Sequence, residues 1–256
     1  MLTKEEIDHF IQNGYIRIDN AFSDQIAIDV MDILWNDLPC ERENPLTWTE
    51  PVIRLQYYSQ EAFIQSVNNK RLHSIYDQLV GLKKWNPCMN IGTFPIRFPS
   101  NVEPDDVGPH VDASFPGDDI NDFLKWRVNV FSKGRALLML VIFSDISEDD
   151  APTIVYRKSH FDVAKLLLPK GKFGLSFIEL ANELKQLPER EKVLAIGKPG
   201  TIYLCHPFIV HSAQTHNGKS PRFMAQPSLN LKNELDIMRA DIIHSPIARA
   251  IRKAVI

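Results

Sequence analysis

Apolar positions recur at helical spacing through the first third of the chain and at strand spacing through much of the rest. Thr3 and Glu6 form a T-x-x-E capping box, Ile7, Phe10 and Ile11 share a face behind it, and Gly14 supplies a left-handed stop. Tyr15–Ile18 alternates as a short strand. Ser23 is the expected cap of a second helix carrying Ile26, Val30, Ile33 and Leu34 on one side. A further amphipathic segment runs through Val67, Leu72, Ile75, Tyr76 and Leu79 to Gly81. Residues 1–84 are therefore expected to be helix-rich.

From Trp85 the texture changes. Prolines at 87, 95, 99, 104 and 109 break any helix, and β-type runs follow at 91–98, 126–131, 136–143 and 153–156. A helical insert is expected near 160–190, with Ser176 ahead of Phe177, Leu180, Ala181, Leu184 and Leu187. After a Gly-Lys-Pro-Gly turn at 197–200 the chain returns to strand as TIYLCHPFIVH. A turn at 216–220 then forms a hairpin with a last strand, RFMAQPSL, and a helical segment is expected within 233–256. Short strands with Gly/Pro punctuation suggest a sandwich or barrel decorated by helices. No repeat or linker divides the 256 residues, so one domain is expected.

Composition narrows the function classes. A hydrophobic content of 44% builds a sizeable core, and 29 basic against 32 acidic residues leave no surplus to neutralise a phosphate backbone. Nucleic acid is not an expected partner. Cys40, Cys88 and Cys205 lack metal-type spacing and read as thiols of a reduced compartment. No apolar run approaches the ~20 residues of a spanning helix, and the charged N-terminus does not read as a signal peptide. A soluble, cytoplasmic protein without a membrane partner is expected.

The candidate chemistry lies in the histidines. His110 and Asp112, two apart in extended chain, project to one face and suit adjacent ligands of one metal ion. That spacing alone decides little, because eight histidines and 32 acidic residues in 256 give one His-x-Asp/Glu by chance, and the chain has a second at His160 and Asp162. The second pair opens an apolar helical run, where an acidic residue serves the helix dipole. The first lies between a proline-bracketed strand and a Gly/Asp-rich loop. His206, His211 and His216 are candidates for a third ligand, and on an unbroken strand His206 and His211 face opposite ways unless Pro207 kinks it. Arg222 follows eleven residues after His211, and an inward arginine on a strand calls for an anion such as a carboxylate.

With these residues in place the chain resembles the phytanoyl-CoA dioxygenase family of non-haem Fe(II)- and 2-oxoglutarate-dependent oxygenases. LTKEEIDHFIQNGYIRIDNAFS is similar to the family's opening helix, strand and second helix, and GPHVDAS to its metal-binding H-x-D. FSDISEDDAPTIVYRKSH is similar to its central D…G-P…P-G-S-H stretch, and CHPFIVHSAQTHNGKSPR to its second histidine with Asn and Arg six and eleven residues later, here Asn217 and Arg222. The order of four motifs makes the likeness specific. Ala151-Pro152, Arg157-Lys158 and Ala213 depart from the pattern.

The resemblance implies a double-stranded β-helix, that is a cupin-like jelly roll, buttressed by the N-terminal helices. It implies that His110, Asp112 and His211 hold Fe(II), and that Arg222 grips the far carboxylate of 2-oxoglutarate. O2 would then be consumed as an aliphatic C–H of a small organic molecule is hydroxylated, with release of succinate and CO2. Halogenating relatives lack the carboxylate that Asp112 supplies, which favours hydroxylation. Thr93 and Leu140 are further candidates to touch the co-substrate, and Arg97, Ser114 and Phe115 to face the substrate; a solvated Arg97 is the competing reading. Lys83, Lys84, Lys125, Arg127, Lys133 and Arg135 read as scattered basic groups on a solvated face. A non-catalytic metal-binding jelly roll, or a zinc hydrolase using the same ligands, are the alternatives, and the second gives Arg222 no task.

Overall fold

A computed structural model describes residues 1–256. The helices of the first third follow their sequence signals closely. α1 (Lys4–Asn13) begins at the Thr3/Glu6 capping box and ends at Gly14, φ +82°. β1 (Tyr15–Ile18) follows, and Ser23 caps α2 (Asp24–Asp37). After β2 (Val52–Leu55) the long amphipathic segment splits in two. α3 (Glu61–Val67) stops at Asn68, and Asn69 starts α4 (Lys70–Val80) by accepting from the Leu72 amide at 3.0 Å. Val67 thus belongs to the first of the two helices.

The middle of the chain contains β3 (Trp85–Asn86), β4 (Phe94–Arg97), β5 (Arg127–Val128), β6 (Arg135–Ile142) and β7 (Ile154–Tyr156). The insert comprises α5 (Ser159–Leu167), β8 (Leu175–Ser176) and α6 (Phe177–Leu184), the last opened by a Ser176/Glu179 capping box. β9 (Lys192–Leu194), β10 (Ile202–Cys205), β11 (His211–Ser212), β12 (Met224–Ala225) and β13 (Ser228–Leu231) complete the strands. The expected terminal helix is confined to α7 (Pro246–Val255), which packs against α1, α4 and α5.

The strands form antiparallel sheets. The larger runs β1-β10-β6-β13-β3, with β12 also on β6; a second runs β11-β7-β9; β2 pairs with β4 and β5 with β8. β6 is the hinge of the architecture. Leu137, Met139 and Val141 face the main core of 54 residues, where the Tyr76 hydroxyl donates to the Val67 carbonyl at 3.0 Å and lies 3.2 Å from Met139 Sδ. Leu138, Leu140 and Ile142 face a smaller inner cluster shared with Val155, Ile209 and Met224. A strand covered on both faces must read as a continuous apolar run, as ALLMLVI does.

Two expectations change. The run 201–211 is not one strand: β10 ends at Cys205, the chain turns through Pro207–Phe208, and β11 joins the other sheet. The strand expected at 222–229 is also broken, at Gln226–Pro227, into β12 and β13. Consequently His211 and Arg222 are not partners in a hairpin; His211 pairs across to β7 and Arg222 bridges Arg97.

Candidate active site

His110 and His211 face each other as a cross-strand pair, each amide donating to the other's carbonyl at 2.9 and 3.0 Å. Their ring centroids are 4.4 Å apart. Each Nδ1 is turned back to a carbonyl two residues upstream, that of Gly108 at 2.9 Å and of Ile209 at 3.4 Å. This leaves both Nε2 atoms pointing at a shared space, the orientation that second-sphere carbonyls impose on metal-binding imidazoles. Asp112 Oδ1 completes the group, 3.7 Å from His110 Nε2 and 3.6 Å from His211 Nε2. One ligand atom from each of the three lies within 4.8 Å of the others. His211 is 2% exposed, and its Nε2 is buried without a partner in the chain. An orphaned buried nitrogen beside a carboxylate fits a metal ion, which would take both.

Asp112 is held by a residue read from the sequence as part of a solvated face. Arg135 Nη1 donates to Asp112 Oδ2 at 2.9 Å and Nη2 to the Ala113 carbonyl at 2.9 Å, with the guanidinium side chain 12% exposed. Burial pushes the Asp112 carboxyl up, but Arg135, with His211 and His110, outweighs it and keeps the group ionised. Burial and the neighbouring His211 lower the His110 imidazole, which favours the neutral ligand form. Gly134 precedes this arginine at φ +85°, and a Cβ there would overlap the Ser114 carbonyl oxygen, so the close approach of β6 to the H-x-D segment needs glycine.

Arg222 is 1% exposed. Nη1 donates to the Ala151 carbonyl at 2.8 Å and Nη2 to the Pro95 carbonyl at 2.9 Å, with Thr153 Oγ1 3.5 Å from Nη1; Nε has no partner. The free Nε and the second N–H of Nη2 form the side of the fork that suits a carboxylate. Burial, then Arg97 beside it, both press against the charge on Arg222, which a guanidinium retains regardless and an anion would relieve. Thr153 stands two residues from Val155, the register partner of His211, so the tip of the Arg222 side chain reaches the chain just ahead of β7.

The other sequence candidates divide between two places. Thr93, Ser114 and Phe115 line an open cleft of about 1180 Å³ that has Asp112 and Arg135 in its wall. Leu140 does not; it is fully buried in the inner cluster. Arg97 is neither solvated nor in that cleft. It is 2% exposed, Nη2 bonds both oxygens of Asp106 at 2.8 and 2.7 Å, and Nε and Nη1 have no partner. Asp106 offsets the charge of this buried guanidinium, and nothing local in the sequence marks it as the partner.

The remaining histidines are occupied elsewhere. His206 is buried 5.0 Å from His160, with Nε2 against the Ile247 carbonyl, and His216 Nε2 meets the Ser220 carbonyl at 2.9 Å. The Pro207 turn, rather than strand parity, separates His206 from His211. His160 opens α5 as expected, while Asp162 is tied by two bonds to Arg190 in addition to lying in the first turn. Arg127, also read as solvated, donates to the Phe173 and Gly174 carbonyls.

No family model matches the chain, and no curated protein matches it in sequence. Solved structures do match in shape. HygX from Streptomyces hygroscopicus, with nickel, 2-oxoglutarate and hygromycin B bound, superposes with a TM-score of 0.57 at 16% identity, covering 95% of each chain. EctD from S. alaskensis in its apoform gives 0.58 at 17% identity, over 93% of this chain and 82% of that one. The epimerase SnoN in complex with Fe3+, alpha ketoglutarate and nogalamycin RO gives 0.57 at 15%, over 94% and 93%. At these identities the likeness is one of fold. That fold holds a metal ion together with 2-oxoglutarate in the HygX and SnoN structures.

Proposed function

We propose that the chain is an Fe(II)- and 2-oxoglutarate-dependent oxygenase that hydroxylates an aliphatic C–H of a small organic molecule, related to the phytanoyl-CoA dioxygenases. The observation that carries this reading is the convergence of His110, Asp112 and His211 on one point, with the free fork of buried Arg222 reaching Thr153 at the start of the strand that pairs with His211. In this reading the two sheets are the halves of a jelly roll, and residues 1–256 act as one domain around it.

His110, Asp112 and His211 would hold the metal through Nε2, Oδ1 and Nε2. When bound, Fe(II) with 2-oxoglutarate and O2 supplies the oxidation, with succinate and CO2 as the co-products. Arg135 occupies Asp112 Oδ2 and so reserves a single carboxylate oxygen for the metal. Arg222 would take the far carboxylate of the co-substrate, with Arg97 as a second cation at that end and Leu140 as apolar wall, while Thr93 would border the co-substrate from the cleft. Ser114 and Phe115 would border the substrate. The burial of His211 and Arg222 keeps bulk water from that end of the site.

A zinc hydrolase would use the three ligands but leave the Arg222 fork without an anion. The test is conversion of 2-oxoglutarate to succinate by the purified chain. Slow O2-dependent conversion that requires Fe(II), is not supported by Zn(II) and disappears in Asp112→Ala is expected; equal turnover with zinc, or turnover that survives Asp112→Ala, contradicts the proposal.

A further inference from the structure

The wall of the open cleft is neither an alkyl slot nor a phosphate cradle. Of its 24 lining residues seven are hydrophobic, so a long apolar chain would bury little of itself there. Two of its four cations are paired with carboxylates, and exposed Lys232 and Glu234 add one charge of each sign. Arg54 pairs with Asp105 and Asp106, Arg135 with Asp112, and Lys133 Nζ sits 4.8 Å over the Phe115 ring.

What the cleft offers instead is a row of amides leading to the metal ligands. Gln226, Ser228 and Asn230 alternate with the buried Pro227, Leu229 and Leu231, so the polar three share one face of the β13 segment. Asn230 is the register partner of both Asn86 on β3 and Arg135 on β6. Asn86, Asn230 and Arg135 therefore form one row across three strands, ending at the guanidinium that holds Asp112. Ser228 Oγ donates to Asn230 Oδ1 at 2.9 Å, which orients that amide within the row. Phe115, Phe123 and Trp126 also line the cleft, with the last two rings 5.8 Å apart.

An amide both donates and accepts, as a hydroxyl does, and an aromatic ring covers the C–H face of a saturated ring. We infer that the substrate is a neutral, polyhydroxylated ring compound, a sugar or a sugar-bearing small molecule, with its hydroxyls on Gln226, Asn230 and Asn86 and a C–H face on the aromatic residues. This inference rests on the oxygenase reading for the cleft's purpose but on the amide row for its ligand. A site built to pair hydroxyls rejects analogues that lack them, because its own polar groups are then left unmet.

The test is saturation-transfer NMR on the full chain without iron or 2-oxoglutarate, using millimolar methyl glucoside, maltotriose, decanoate, lysine and coenzyme A as separate probes. Transfer to the sugar ring protons, weakened roughly threefold to tenfold by each of Gln226→Leu and Asn230→Leu, is expected. Asn121→Leu, at a lining residue of the cleft outside the sheet, gives a second variant. Preferential binding of decanoate, lysine or coenzyme A, or no transfer to either sugar, overturns the inference, as does sugar binding indifferent to all three substitutions. Sugar binding without 2-oxoglutarate turnover would leave the ligand class standing and remove the oxygenase; turnover without sugar binding would do the reverse.

Discussion

Arg135 Nη1 lies 2.9 Å from Asp112 Oδ2, on the side of the carboxylate away from the two histidines. The pair divides the labour of one carboxylate. Oδ1 faces the imidazoles and Oδ2 is locked by a guanidinium whose other arm holds the Ala113 carbonyl. Replacing Arg135 with Leu should weaken Fe(II) or Co(II) binding roughly 10- to 100-fold, the usual range for losing an outer partner of a metal ligand. Arg135→Lys should recover only part of it, since an ammonium lacks the fork that spans both acceptors. Metal titration followed by Co(II) absorbance reads both; unchanged affinity in Arg135→Leu would show that the pair is not positioning Asp112.

Arg222→Ala should raise the concentration of 2-oxoglutarate needed for half-saturation by roughly a hundredfold, the worth of two charge-assisted hydrogen bonds. It should also lower the melting temperature, because the Ala151 and Pro95 carbonyls lose their donors. Co-substrate binding by calorimetry on the Fe(II)-loaded, oxygen-free protein separates the two effects. Affinity unchanged in this variant would remove Arg222 from the site.

Histidine substitutions should sort cleanly. His211→Ala should abolish tight metal binding, while His206→Gln and His216→Gln should retain the wild-type metal stoichiometry, since both side chains are spent on backbone carbonyls. Metal analysis after dialysis checks this, and loss of iron in either glutamine variant would move the third ligand.

Burial lowers His160 to about 4 in the folded chain, against 6.5 for a free imidazole. The unfolded chain therefore binds the proton first. The stability in question is complete above about pH 6.5 and is lost progressively as pH falls towards 4, by up to about 3 kcal/mol. His160→Gln, which keeps a donor for the Ile11 carbonyl, should flatten the urea midpoint between pH 7 and pH 5. An equal pH dependence in wild type and variant would assign it to other groups, among them buried His206.

How much of this was legible in the sequence follows from which interactions are local. Helix caps are short-range chemistry, and Thr3/Glu6, Ser23 and Ser176 all act where their spacing places them. The doubly covered β6 announces itself by its unbroken apolar run. The His-x-Asp spacing is local too, but which distant histidine joins it depends on the turn at Pro207 and on the β7–β11 register, and only the family likeness singled out His211. Arg135 and Asp106 carry no such local mark, for the same reason. An arginine at the head of a buried strand following glycine is a usable signal, yet its partner lies 23 residues away and no periodicity connects them. The segments around Pro207 and Pro227 read as continuous strands because apolar content persists through the first break and the apolar–polar alternation through the second.

The most direct test of the site is the visible spectrum of the chain with Fe(II) and 2-oxoglutarate in the absence of oxygen. A metal held by His110, Asp112 and His211 with the co-substrate's far carboxylate on Arg222 should give the weak charge-transfer band of an iron–2-oxoglutarate chelate, lost in His211→Ala. A solution that binds Fe(II) yet stays colourless when saturated with 2-oxoglutarate would contradict it.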